Sequence, residues 1–149
     1  MYLKEKHKGL DRTLWGIRQQ VIDSLDYVAE NFPPLNSPEE IFTYCKLITT
    51  YEPDPKGVEL VQTVQTLLDD NWHNKTGAGD CDDLTVLTIA CCVVNGFKDN
   101  YIFLCGRNKR DAVHIYSGVK CKGKIFTLDL TNTFINQERK YPFCQILEL

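Results

Sequence analysis

The stretch KTGAGDCDDLTVLTIACC, Lys75 to Cys92, decides how the rest of the chain is read. Two glycines give way to Asp-Cys-Asp-Asp and then to a run that is apolar almost all round. Asp80 is a good helix N-cap and Asp83 stands at the capping-box position, so a helix opens at Cys81. Leu84, Leu87, Thr88, Cys91 and Val94 carry it to Asn95–Gly96, a natural C-terminal stop. A helix without a polar face must be central. Cys91 and Cys92 lie inside the apolar run, where packing thiols belong. Cys81 instead opens the helix among carboxylates, which disfavour a thiolate, while the helix dipole and unpaired first-turn N–H groups favour one. Those N–H groups also offer donors to a developing oxyanion, and Gly77 and Gly79 leave room for a substrate backbone to approach.

Upstream, Leu14, Ile17, Val21, Ile22, Leu25, Val28 and Ala29 recur at three- and four-residue steps, an amphipathic helix from near Asp11 to Asn31. FPPLN breaks it. SPEE then supplies a second start, with Ser37 as cap, Pro38 in the first turn and Glu40 reaching back. Ile41, Cys45 and Ile48 point inward, and the turn-rich EPDPKG ends the helix. Val58 to about Asp70 reads as a third helix, and NWHNKTGAG as a loop.

Downstream the apolar period changes to two, predicting strands at Tyr101–Cys105, Ala112–Lys120, Lys124–Thr131 and Phe143–Leu147. Helices followed by an antiparallel sheet make an α+β fold: N-terminal helices and a central Cys-bearing helix packed on a small sheet. We read 1–149 as a single domain, with a helical segment at 1–34 and a catalytic-type core at 35–149. Trp15, Trp72 and the tyrosines read as core or groove residues.

The bulk properties exclude several classes. A net charge of −3, with lysines and acids interspersed, lacks the clustered basic footprint of a nucleic-acid binder. The longest apolar run, Ile89–Val94, falls short of the ~20 residues that span a bilayer. Residues 1–12 lack the apolar stretch of a secretory signal, so the expected location is cytoplasmic. The seven cysteines are odd in number and show no C-x-x-C spacing, which predicts free thiols in a reducing compartment. None of the three histidines stands at ligand spacing from cysteines, which argues against zinc.

A cysteine nucleophile needs a base, and the base needs an orienting group. His7 lies in a polar N-terminal segment and His73 in a Gly/Asn-rich loop, so His114, within DAVHIYSGV, is the candidate base. The next strand, KIFTLDL, holds Asp129, an acid among apolar residues that requires a partner. A hairpin turning at Lys122–Gly123 pairs Cys121 with Lys124 and places His114 and Asp129 on one face as diagonal neighbours. Their backbones are then roughly 7–8 Å apart. A three-residue loop would shift the register by one and separate them.

Cys81 opening a helix after G-x-G-D, His114 on a later strand and Asp129 on the strand after it together resemble the transglutaminase-like cysteine hydrolase superfamily, which has a papain-like fold. GDCDDLTVL is similar to the motif of its bacterial and bacteriophage branch, and DPKGVELVQT to a segment preceding the cysteine in phage-associated members. The resemblance implies a Cys81 nucleophile, a His114 general acid/base and an Asp129 orienter. It implies Gln62 as an oxyanion or substrate contact, while Trp72, nine residues before the cysteine, stands where it could line a substrate cleft. In calcium-dependent bacterial proteases of this superfamily, acids flanking the cysteine bind the metal; the matching positions are Asp80 and Asp82. No cofactor is otherwise required.

The expected function is acyl transfer on peptide or amide bonds, hydrolytic as a protease or amidase. Its partner is a peptide or protein substrate, not nucleic acid or membrane. One alternative is crosslinking, with an amine as acceptor. The other, from a different class, is a virion or assembly protein that keeps the fold as an interaction module among other virion proteins.

Overall fold

The computed structural model describes residues 8–53, 61–69, 77–108 and 112–149. The elements run α1 (Lys8–Asn31), α2 (Pro38–Ile48), β1 (Thr49–Tyr51), α3 (Val64–Asp69), β2 (Gly77–Gly79), α4 (Cys81–Val94), β3 (Asn100–Gly106), β4 (Ala112–Cys121), β5 (Lys124–Leu128) and β6 (Phe143–Glu148). The architecture is α+β. Helices come first, and an antiparallel sheet of order β5-β4-β3-β6 follows.

Helix α4 is the hub. Every residue from Asp82 to Cys92 is buried, as its all-round apolar pattern requires. Ile17, Val21 and Val28 of α1 and Ile41 and Cys45 of α2 join one core with Val86, Leu87 and Ile89 of α4. The opposite side of that core is the inner sheet face, supplied by Ile102, Leu104, Ile115 and Val119. Polar groups are paired where helix meets sheet: the Thr88 hydroxyl contacts that of Ser117 at 2.6 Å, bonding α4 to β4. Trp15 is 68% exposed, so the α1 tryptophan is not the core or groove residue expected of it.

The caps follow the sequence. Ser37 accepts from the Glu40 N–H at 3.1 Å, and Glu40 returns to accept from the Asn36 N–H. At the other end of α4, Gly96 takes φ +89°, a left-handed conformation that glycine adopts without penalty. Asn95 bridges elements there, donating to the Cys91 carbonyl and accepting from the Leu35 N–H.

Three expectations are corrected. The third helix is short: residues 61–63 precede it, so Gln62 lies on the approach to α3 rather than on a helix. The earlier residues of that expected helix, together with Trp72, fall outside the described residues. GAG, read as loop, is a strand pairing in parallel with β1, Thr49 opposite Gly77 and Tyr51 opposite Gly79. Three residues without β propensity leave no periodic signal. Finally, not all cysteines are free. Cys105 and Cys144, 39 residues apart, sit directly opposite across β3 and β6 with Cα atoms 4.1 Å apart and form a disulfide. Cys45, Cys81, Cys91, Cys92 and Cys121 are free thiols.

The hairpin register is the predicted one. Lys122 and Gly123 both take positive φ, 52° and 81°, the two-residue turn whose twist matches the flanking strands. Cys121 therefore pairs with Lys124, and the ladder continues to Ser117 opposite Leu128. There it stops, three residues before the expected end at Thr131. The Asp129 carboxylate captures the Thr131 N–H at 3.1 Å, and the Asn132 N–H donates to the Asp129 carbonyl at 3.0 Å. A local side-chain turn thus replaces the ladder. Among the described residues, the edge of β4 beyond Ser117 is left without a strand partner on that side.

Candidate active site

The site forms where β5 gives out. On β4, Ile115, Ser117 and Val119 face α4, whereas His114 and Tyr116 lie on the other face with Phe103 and Tyr141. Just before His114 the β3–β4 register shifts: Cys105 opposes His114 and Gly106 opposes Ala112, a bulge that absorbs Val113. Bulges re-aim neighbouring side chains. His114 Nε2 meets Asp129 Oδ2 at 2.7 Å in a largely buried pair.

Asp129 is held on every side. Oδ1 accepts from the Thr131 N–H at 3.1 Å and the Thr131 hydroxyl at 2.7 Å, and Oδ2 from the Asn132 amide at 3.2 Å besides His114. The Asn132 amide also donates to the Gln137 carbonyl, and Lys46 of α2 donates to the Leu130 carbonyl at 2.9 Å, anchoring the turn. Burial pushes the Asp129 carboxyl up. The His114 and Thr131 bonds outweigh it, and the net shift is downward, so the carboxylate stays ionised. With Nε2 on Asp129, Nδ1 is the ring nitrogen on the side away from the carboxylate.

Cys81 is the first residue of α4, and its thiol is set against the backbone of Ile115, next to His114, at the open edge of β4. Asp129 is near enough for its charge to act on the thiol, while the His114 ring stands on the sheet face turned away from the α4 core, with Tyr116 and Tyr141. The thiol is pushed up to about 12, first by burial, then by the Asp82 charge, with smaller contributions from Asp80 and Asp129 against a lowering contact from the Ile115 backbone. The Asp82 carboxylate lies 3.9 Å from the sulfur. Burial first, and the acidic company after it, keep the resting thiol protonated. Alkylation of Cys81 by iodoacetamide should accordingly climb about tenfold per pH unit above neutrality and level off only near pH 12. A plateau already reached by pH 7, followed by mass spectrometry of the labelled peptide, would contradict this.

Several sequence expectations around Cys81 need correction. The first-turn amides are not open: Asp80 Oδ1 accepts from the N–H groups of Asp82 at 3.1 Å and Asp83 at 3.4 Å. The amide of Cys81 itself is the one the cap leaves among the described residues. Gly77 and Gly79 do not make room for substrate. A Cβ on Gly77 would meet Leu68 at 2.6 Å, and one on Gly79 would meet Asp83 at 2.7 Å and Leu67 at 2.8 Å. Their role is close packing.

Gln62 is a clasp. Its N–H donates to Asp83 Oδ1 at 2.8 Å and its side-chain amide to Asp83 Oδ2 at 3.1 Å, while the Asp80 N–H donates to the same Oδ2 at 3.1 Å. The expected oxyanion contact is replaced by a bond that ties the segment before α3 to the start of α4. Asp80 and Asp82 do not fit calcium, which takes about six to eight oxygens. Asp80 serves the helix cap, and among the described residues no three His, Cys, Asp or Glu side chains group to hold a metal.

The residues that sequence reasoning passed over are Thr131, Asn132, Tyr116 and Tyr141. One of them, Thr131, carried a signal, since an Asp side chain readily bonds the backbone two residues on. The two tyrosines flank the imidazole, Tyr116 with ring centroids 5.5 Å away and Tyr141 at 6.0 Å, and are not adjacent to it in sequence.

No protein-family model matches this sequence, and no curated protein does. Among solved structures, the fold is similar to that of a "putative protease" from Parabacteroides distasonis ATCC 8503, with a TM-score of 0.61 and 12% identity. The likeness is one of fold. It covers 91% of this chain and 28% of that one, so the chain spans little more than a quarter of that protein's length. No helix of the described residues is long and apolar enough to cross a membrane.

Proposed function

We propose that this chain is a cysteine protease or amidase in which Cys81 is the nucleophile, His114 the general acid/base and Asp129 the orienter. The observation that carries the reading is the largely buried 2.7 Å His114–Asp129 pair, whose carboxylate charge reaches the thiol that opens α4. The neighbour in fold described as a "putative protease" is compatible with this reading.

In this scheme Cys81 Sγ bonds to the substrate carbonyl carbon as its proton passes to His114 Nδ1. The tetrahedral oxyanion collapses, the C–N bond breaks, and His114 returns the proton to the leaving amine. Water attacks the thioester and gives a proton to His114. The C–S bond then breaks, and the thiolate recovers that proton. Because the thiol starts protonated, His114 acts in concert with attack and not through a preformed ion pair. Crosslinking differs only in the acceptor, and bulk water prevails over amines unless the cleft excludes it.

The test uses p-nitrophenyl acetate as acyl donor, with mass spectrometry to locate the acyl group. Acylation should fall on Cys81, vanish in Cys81→Ala and slow about 10²–10⁴-fold in His114→Ala. Should Cys81 acylate no faster than the buried thiols Cys45 and Cys91, the fold serves as an interaction module and the enzymatic reading fails.

A further inference from the structure

The His114 imidazole is tied to Asp129 through one ring nitrogen, with Nε2 and Oδ2 2.7 Å apart. A single bond of that kind leaves the ring free to swing about it, and a base that swings loses its aim. A second contact must fix the ring plane. Tyr116 is placed to make it, two residues on along β4 and so on the same sheet face. Its ring meets the imidazole with centroids 5.5 Å apart and planes at 36°.

Tyr116 is itself held from two sides. Its ring stacks on that of Phe103 at 4.9 Å and 12°, and Phe103 lies directly opposite it on β3. Its hydroxyl donates to Glu138 Oε1 at 2.7 Å, and the Cys105 sulfur lies 3.8 Å from the phenol oxygen. Tyr116 is 3% exposed, whereas Glu138 is an exposed residue of the segment between β5 and β6. Phenylalanine would serve packing alone. The hydroxyl adds a charge-assisted bond that reaches from beside the imidazole to the surface. Burial first, and the Glu138 bond after it, push the phenol well up, so the hydroxyl stays protonated and remains the donor.

From these contacts we infer that Glu138 and Tyr116 are positioning residues for His114: the carboxylate locks the phenol, and the locked ring sets the plane of the imidazole. The inference rests on the reading of His114 as the general acid/base. Neither residue meets a reacting atom in that scheme.

The bond can be broken from each end. Glu138→Ala, a surface change, removes the acceptor. Tyr116→Phe keeps the ring and its stack on Phe103 and removes the donor, while Glu138→Gln keeps an oxygen that accepts. Acylation of Cys81 by p-nitrophenyl acetate should slow about tenfold in either of the first two, within the roughly 10²-fold that a misplacement of ~1 Å costs. The double variant should be no slower than either single one, and Glu138→Gln should recover most of the rate.

NMR of the imidazole gives a readout independent of acylation. The carbon-bound ring protons of His114, which sense the Tyr116 ring current, should shift and broaden in Glu138→Ala and Tyr116→Phe and stay near their original positions in Glu138→Gln. Unmoved ring protons in the first two variants would overturn the assignment, whatever the rates. So would loss of the Nε2 proton signal alone, which would place the effect in the Asn132–Asp129 turn. Should the unsubstituted protein fail to acylate Cys81 while the ring protons respond as expected, the nucleophile is misassigned and the positioning of His114 stands.

Discussion

Replacing Asp129 by alanine should cut acylation of Cys81 on the order of 10³-fold and yet make the thiol easier to ionise. The two effects have one origin. The carboxylate accepts from His114, from the Thr131 N–H and hydroxyl, and from Asn132, so its removal frees the imidazole to rotate and leaves those donors unmatched. The base then no longer presents Nδ1 to the sulfur. The same charge, however, contributes to pushing the thiol up to about 12. Once it is gone, the alkaline limb of iodoacetamide labelling should move to lower pH even as ester acylation at neutral pH collapses. Opposite movements of the two profiles are the expected signature. Parallel losses would mean local unfolding, which a thermal melt would register, since stripping those bonds should cost about 2–3 kcal/mol.

The largest stability effect should come from a residue with no chemical step to perform. Asp83→Ala should destabilise the fold by about 3–5 kcal/mol, read as a lower urea midpoint with an unchanged slope. Asp83 is almost fully buried, and its carboxylate collects the Asp80 N–H, the Gln62 N–H and the Gln62 side-chain amide. Alanine leaves three donors without that acceptor. Asp83→Asn should cost less, because an amide oxygen still accepts, but its NH₂ must face other N–H groups. A loss below about 1 kcal/mol in the alanine variant would show that water replaces the carboxylate and that the clasp is dispensable.

These contrasts explain what the sequence could tell. The opening of α4 was legible because a capping box is local: Asp80, Asp83 and the apolar run after them specify it within a few residues. The His114–Asp129 pairing was legible for a related reason, since a two-residue turn fixes parity and parity fixes which side chains share a face. The clasp was hidden, because Gln62 and Asp83 are joined through tertiary packing and no periodicity links them. The disulfide was hidden likewise: β3 and β6 are neighbours in the sheet although β4 and β5 lie between them in sequence. The occupied helix amides were misread from the same capping box that located the helix. A cap that satisfies the first-turn N–H groups cannot also leave them open for an oxyanion.

The order of parts along the chain carries one more implication. Cys81 is made first and His114 and Asp129 later, 48 residues separating Cys81 from Asp129. At about 5–20 residues per second, synthesis takes roughly 2–10 s to cross that interval. For the first 33 of those residues the chain holds neither His114 nor Asp129. Under the proposed scheme, base-assisted attack by Cys81 therefore becomes possible only once the strand carrying His114 and the turn carrying Asp129 have been made.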